Sequence, residues 1–581
     1  MKRLTLFVVL CFTLALAFPA SADPTVGEVT ALSQYYPDTT PMFISFRIDD
    51  EFLSTWSTLI DQLSQQYDLG FNSTLLEELD RLSSDIPGIG GTFQEVFGSW
   101  MGNTAAVGLL SIAELYDAKP ENDSTIPWLI SIEVEDASTA LSFWQTILGA
   151  QDYTMSQVDG GTVFSPPPSQ YGYSDPHVLL TNNTLFIAGV ESALPLTAPQ
   201  TSLNDSALFQ SSLVNLPLQT YNAVLFAQTE PLFSALVTSP QFGMNAPGMI
   251  EYFSLFSAAM PSEAIGFTML DDSSLVMDVA VPYTADSFIS QQADLGLIDP
   301  DFLHYLPSGT PAVYHGTNLR DMLSMAGENL RASLEMQNAL ATPSPYSQSP
   351  ADQFEGSMAQ FSTLFRGATG LDPEEDLFRW MDGDFALALD VSEGFQNATT
   401  NRELNAQFPL EFGLVIDAST DPDAAAHAVQ QIGNAVRVLT QNTAGVNVSS
   451  DEIGGSTVWA LNVFTPDFDA PLELLIGSDE HVFVIGTRHF VQAALAPDGS
   501  LNDDEAYTAA QQYTLADRSG EAYFFTDEVA SGLDFALNEL SSSDEQTVRL
   551  LLALFGQSSL TQRYAENVGQ ARGVLTLRLG Q

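Results

Sequence analysis

The chain has 581 residues, with 73 acidic side chains against 17 Lys plus Arg, and a formal net charge of −56. A field of that sign repels nucleic acid, anionic membrane surfaces and acidic polymers, which excludes them as partners. Hydrophobic residues make up 45% of the chain, which is enough for packed cores and too much for a disordered polymer, and the length exceeds what a single core fills.

The chain opens with Lys2 and Arg3, an apolar run from Leu4 to Phe18, and the small-x-small triplet Ala20-Ser21-Ala22. This pattern predicts a signal peptide over residues 1–22, with cleavage before Asp23. The only cysteine, Cys11, lies inside it. The mature chain is therefore expected to be cysteine-free, with no disulfide, thiol nucleophile or thiolate metal site. Loss of Lys2 and Arg3 takes the charge to −58, with 31 acids and 3 bases over 23–283 and 42 acids and 12 bases beyond. The excess is thus a property of the whole surface, and the expected location is extracytoplasmic, secreted or in the cell envelope.

In the mature chain Met42 to Ile48 alternates as a strand, and Glu51 to Tyr67 and Thr74 to Ser84 show helical spacing. Strands are predicted over Thr104 to Ile112 and Trp128 to Val134. A helix follows from Asp136 or Ser138, whose side chains accept from the amides of a first turn. Short strands around Met155 and Val163 lead to a hairpin from Val178 to Val190 turning at Asn182-Asn183. Helices from Glu191 and Asn204, a strand Ala223 to Ala227, and helices ending near Met260 come next. A hairpin of Ala264 to Leu270 with Leu275 to Val281 completes this half. Residues 284–300 read as a connector. The Pro-rich stretches Ser165 to Pro176 and Thr342 to Pro350 read as exposed loops, the first carrying Tyr171 and Tyr173. The second half repeats the order, with its closing hairpin expected to lack a strand because the chain stops soon after Gly573 to Leu579.

Five markers recur in order. Pro37 and Pro41 are matched by Pro307 and Pro311, and Trp100-Met101-Gly102-Asn103 by Trp380-Met381-Asp382-Gly383-Asp384. Asp136-Ala137-Ser138-Thr139 returns as Asp417-Ala418-Ser419-Thr420, Gly160-Gly161 as Gly454-Gly455, and Leu203-Asn204-Asp205 as Leu501-Asn502-Asp503. The offset grows from 270 to 298 residues, as loop insertions would make it. The fold class expected is α+β, as two tandem homologous modules over 23–283 and 301–581, each with a mainly antiparallel sheet and packed helices.

No catalytic or cofactor-binding residue stands out. The six histidines, His177, His304, His315, His427, His481 and His489, form no zinc-protease spacing, and each reads as a surface or satisfied core residue. His481 and His489 are the pair that a strand and turn bring nearest a shared metal. Asp372-Pro373-Glu374-Glu375-Asp376, Asp382-Gly383-Asp384 and Asp503-Asp504-Glu505 suit calcium in composition, but lack the alternating ligands of a calcium-binding helix-loop-helix. Helix starts and turns account for them. Two nearly all-apolar helical runs, Met249 to Met260 and Val548 to Phe555, read as core, with a cavity for a small apolar ligand as the alternative.

The Pro-x-x-x-Pro strand opening after a signal peptide, the Trp-Met-Gly element and the helix-strand alternation resemble a bacterial family of secreted proteins, domain of unknown function number 3352, over nearly the whole mature chain. The resemblance implies a bacterial cell-envelope or extracellular location and supplies no catalytic residues. The expectation for function is a non-enzymatic binding or structural role, with an envelope protein as a partner. The alternatives are a carrier of a hydrophobic ligand and an acid-pair hydrolase.

Overall fold

A computed structural model describes residues 24–578 apart from 51, 55–56, 59–74, 85–90, 113–126, 169–174, 239–246, 271–273, 286, 288, 341–348, 393–407, 409, 465–470, 527–554 and 566. Tyr171, Tyr173 and the run 548–554 lie outside the described residues. The chain divides into two compact units. The first takes residues up to Ile289 with Ala565–Gln570, and the second takes Ser290–Tyr564 with Ala571–Leu577.

The strands of the first unit are β1 (Met42–Arg47), β2 (Met101–Leu109), β3 (Trp128–Val134), β4 (Thr154–Val158), β5 (Gly161–Ser165), β6 (His177–Thr181), β7 (Thr184–Ala188), β8 (Ala223–Gln228), β9 (Ser262–Leu270) and β10 (Ser274–Pro282). All pairings are antiparallel, in the order β4-β5-β6-β7-β3-β2-β1-β8-β9-β10. Alternation along each strand divides its side chains between two faces. On β1, Phe43 points into a cluster with Tyr36, Phe186, Leu203, Phe209 and Phe226, while Ile44 and Phe46 join Trp100, Ile132, Leu148 and Phe164 on the other. The second face is covered by the helix Ala137–Gly149. Asp136 caps it, its Oδ1 accepting from the amides of Ser138 at 2.9 Å and Thr139 at 3.1 Å. The Ser138 hydroxyl and these amides hold its carboxyl down to about 2.

The second unit contains β11 (Ala312–Thr317), β12 (Asp384–Val391), β13 (Leu410–Asp417), β14 (Val446–Ile453), β15 (Ser456–Val463), β16 (Leu472–Ser478), β17 (Val482–Gly486), β18 (Gly520–Phe525) and most of β19 (Phe555–Ala565) and β20 (Val568–Leu577), whose residues Ala565 and Val568–Gln570 are counted with the first. Their order is β14-β15-β16-β17-β13-β12-β11-β18-β19-β20. Val313, Ala386, Val415, Val484 and Phe490 pack on one face, and Phe385, Ile416, Val429, Trp459 and Phe483 on the other. Two long helices, Leu319–Leu340 and Pro350–Thr369, occupy the span between β11 and β12.

Two expectations are corrected. The closing hairpin of the second unit has both strands, β19 and β20. On β19 buried positions hold Ser559 and Thr561 rather than aliphatic residues, so its sequence carries no apolar alternation. The helix Pro247–Ala259 is not buried all round: Phe253 stacks on Phe233 at 4.9 Å and Phe256 meets it edge-on at 5.2 Å, but Leu255 is 65% exposed. Phe555 begins a strand rather than ending a helix.

Candidate functional site

In the first unit, an open cleft of about 890 Å³ forms where the carboxy ends of β1 and β3 meet the amino end of β2. Among the described residues, Glu28, Asp49, Asp50, Glu133 and Glu135 line it with Arg47 as the one cation, so five carboxylates and one guanidinium leave a formal charge of −4. The guanidinium is already committed. Arg47 Nε donates to Asp49 Oδ2 at 2.6 Å, one Nη to Asp49 Oδ1 at 2.9 Å, and the other to Asn222 Oδ1 at 3.2 Å. Such a two-point pair fixes orientation as well as charge.

Two of the remaining acids, Glu28 and Glu133, are held in place by backbone amides. Glu133 Oε2 accepts from the Asn103 amide at 2.9 Å and the Thr104 hydroxyl at 3.2 Å. Its side chain lies across Gly102, where a Cβ would fall 2.5 Å from Glu133 Cγ. That is the structural reason for glycine in the Trp-Met-Gly element. Glu28 closes a capping box with Thr25, whose amide and hydroxyl lower the Glu28 pKa below 4.5. Asp50 accepts from the Gln94 side chain. The cleft thus offers negative charge, part of it held by hydrogen bonds, on a surface suited to a cationic group.

The histidines are dispersed. His427, His481 and His489 are exposed. His304 Nδ1 lies 2.6 Å from the Asp301 carbonyl, and burial lowers the His177 pKa against the opposing pull of Glu191. Among the described residues, no three His, Cys, Asp or Glu side chains gather to hold a metal ion. Of the acid clusters, Asp372 caps the short helical turn Pro373–Leu377 and Asp504 caps Glu505–Gln511, as helix starts do.

His315 and Asp384 are brought together in the core of the second unit, which the sequence reading missed. His315, on β11, is fully buried between its two neighbouring strands. Its Nδ1 lies 3.0 Å from Glu521 Oε1 on β18, and its Nε2 lies 3.3 Å from Asp384 Oδ2 at the start of β12. Arg518 Nε donates to Glu521 Oε2, which also accepts from the Tyr523 hydroxyl at 3.0 Å, and the Tyr507 hydroxyl donates to Oε1 at 3.3 Å. Burial pushes the His315 pKa down, but its hydrogen bonds to Asp384 and Glu521 and their charges outweigh this and raise it above 6.5. Glu521 moves the other way: burial raises it, and His315 and Arg518 more than reverse that. The signal in the sequence was a histidine two residues after Val313, on the core-facing side of β11.

The family profile described as protein of unknown function, DUF3352, matches residues 4–553. No curated protein matches the chain. A solved structure described as crystal form I of TP0453 is similar at 11% identity, covering 45% of this chain and 80% of its own, with a TM-score of 0.22. Among the described residues, no helix is long and apolar enough to cross a membrane.

Proposed function

The chain belongs to the DUF3352 family, and from that premise we propose that it is a non-enzymatic, extracytoplasmic binding protein whose first unit receives a cationic group of its ligand or envelope partner. The observation that carries this reading is the cleft beneath β1, β2 and β3, with its formal charge of −4 and its arginine occupied by Asp49. A cleft of this size can receive a small ligand, and Glu28 and Glu133, already held by hydrogen bonds, need no reordering on binding. The long-range field of the chain adds to it by drawing cations toward the surface.

The same reading takes the two units as copies of one module. Its support is the strand order, which runs identically in each, and three shared details. Leu203 donates its amide to the Tyr36 carbonyl at 2.7 Å, and Leu501 donates to the Leu306 carbonyl at 2.9 Å. Leu203–Asp205 and Leu501–Asp503 are both single 3-10 turns. Asp417 lies across Gly383, with a Cβ there falling 2.6 Å from Asp417 Oδ2, as Glu133 lies across Gly102.

Calorimetric titration of the mature chain with spermidine and with a lysine-rich peptide tests the cleft. Saturable binding that weakens at least tenfold in the double variant Asp50→Asn, Glu135→Gln and falls with added salt is expected. Equal binding by the variant, or none by the parent, overturns the reading.

A further inference from the structure

Carboxylates only accept hydrogen bonds, and an imidazole with a carboxylate on each nitrogen satisfies both only when each nitrogen carries a proton. That is the arrangement of His315 between Glu521 and Asp384. The two carboxylates are not equivalent. Glu521 keeps Arg518 as a second cation, together with Tyr507 and Tyr523 as donors. Asp384 has His315 and the Asp299 amide, which reaches its Oδ2 at 2.5 Å. Asp299 caps the short helix Pro300–Tyr305, whose Phe302 ring stacks over His315 at 5.7 Å with planes 19° apart. The preceding residue, Ile298, donates its amide to the Arg518 carbonyl at 3.1 Å. One segment of chain therefore lies over the buried charges and is fastened around them at Ile298, Asp299 and Phe302.

We propose that His315 is a proton-operated pin. Protonated, it joins Asp384 to Glu521 and holds the segment Asp299–Tyr305 down on the sheet; deprotonated, it leaves Asp384 buried beside no cation, and the segment opens to hydrate it. The groups facing His315 are Asp384 from β12, Glu521 and Tyr523 from β18, Tyr507 from the helix Glu505–Gln511, and Arg518 from the loop before β18. The tyrosines stay protonated and Arg518 stays charged through the neutral range. At the same sheet position β1 carries Ser45, opposite Val224 and Ala106, with its hydroxyl donating to the Val29 and Ala105 carbonyls, so that position in the first unit holds no counterpart to the pin. The sign follows from linkage. A histidine whose folded pKa is raised holds its contribution fully below the unfolded value of 6.5 and loses it as pH climbs to the folded value.

The test is amide hydrogen exchange at Asp299, corrected for intrinsic base catalysis, alongside the nuclear magnetic resonance titration of His315 in the full chain. Protection of Asp299 is expected to fall about tenfold per pH unit between ~6.5 and the His315 midpoint, one proton being released on opening. In Asp384→Asn, which leaves no charge behind, the step is expected to vanish while protection persists; in His315→Gln, protection is expected to be low at every pH. A His315 midpoint at or below 6.5, flat Asp299 protection in the parent, or an undiminished step in Asp384→Asn overturns the proposal. Should His315→Gln fail to fold, the parent and Asp384→Asn decide the matter between them.

Discussion

Close packing at single residues leaves little room for substitution. Gly433, in the middle of the helix Pro422–Thr440, lies where an added Cβ would come within 2.2 Å of Trp459 Cγ, and one turn later the Arg437 guanidinium covers the same ring at 5.2 Å. Helical propensity favours alanine there by about 1 kcal/mol, but overpacking costs ~1–3 kcal/mol and decides the sign. Gly433→Ala is expected to lower the urea midpoint, with a net loss of up to about 2 kcal/mol. Tyr36 makes the complementary case. Its buried hydroxyl meets Ser131 Oγ at 2.9 Å and the carbonyls of Ala106 and Leu129 at 3.2 Å, so Tyr36→Phe is expected to cost about 1–3 kcal/mol by orphaning those acceptors. Neither position declared itself in the sequence, because a glycine inside a helical pattern and a tyrosine after a short turn are common and their neighbours come from more than 20 residues away.

Among the elements, the two long helices of the second unit behave unlike the rest. Pro350–Thr369 begins at a Ser349 cap that accepts from the Asp352 amide at 3.0 Å and ends at Gly370 with φ 77°. Arg331 ties the pair together, reaching Glu335 on its own helix and Glu355 on the other, both at 3.0 Å. Yet Met358, Phe361 and Leu364 are 51%, 53% and 63% exposed. Spacing of three residues would assign such a stripe to the core; here it faces outward. Phe361→Ser with Leu364→Gln is expected to change the unfolding free energy by less than about 0.5 kcal/mol per site, whereas Phe490→Ala, fully buried against the sheet, is expected to cost ~3–5 kcal/mol. Gly370→Ala should cost about 1 kcal/mol, since the left-handed turn penalises a side chain. Comparing chemical denaturation curves across the three variants checks the ranking.

For the whole molecule, the governing quantity is charge. A formal charge of −56 spread over both halves repels itself in the folded state, and salt shortens the range of that repulsion from about 10 Å at 0.1 M to about 3 Å at 1 M. The melting temperature is expected to rise with sodium chloride over that interval, and an unchanged value would show that the acids are already compensated locally. Capping explains part of any compensation: Asp136, Asp372, Asp421 and Asp504 each accept from amides at a helix start, where a carboxylate meets the positive end of the helix dipole.

The antiparallel character of the strands, the helix after Asp136, the hairpin turning at Asn182-Asn183 and the acidity of the surface were all determined by residues close together in the chain, through alternation, capping and turn chemistry. The strand β19 was not, because its buried positions are polar and their partners lie on β18. The acid cleft was legible only as composition: Glu28, Asp50 and Glu133 are ordinary acids until β1, β2 and β3 bring their ends together. The His315 cluster draws on residues 299, 384, 518 and 521, and only the sheet places three strands and a loop around one imidazole. Local order follows from local sequence because its forces act over one turn or one residue pair; a buried charge is defined by what surrounds it, and that is settled by the tertiary fold.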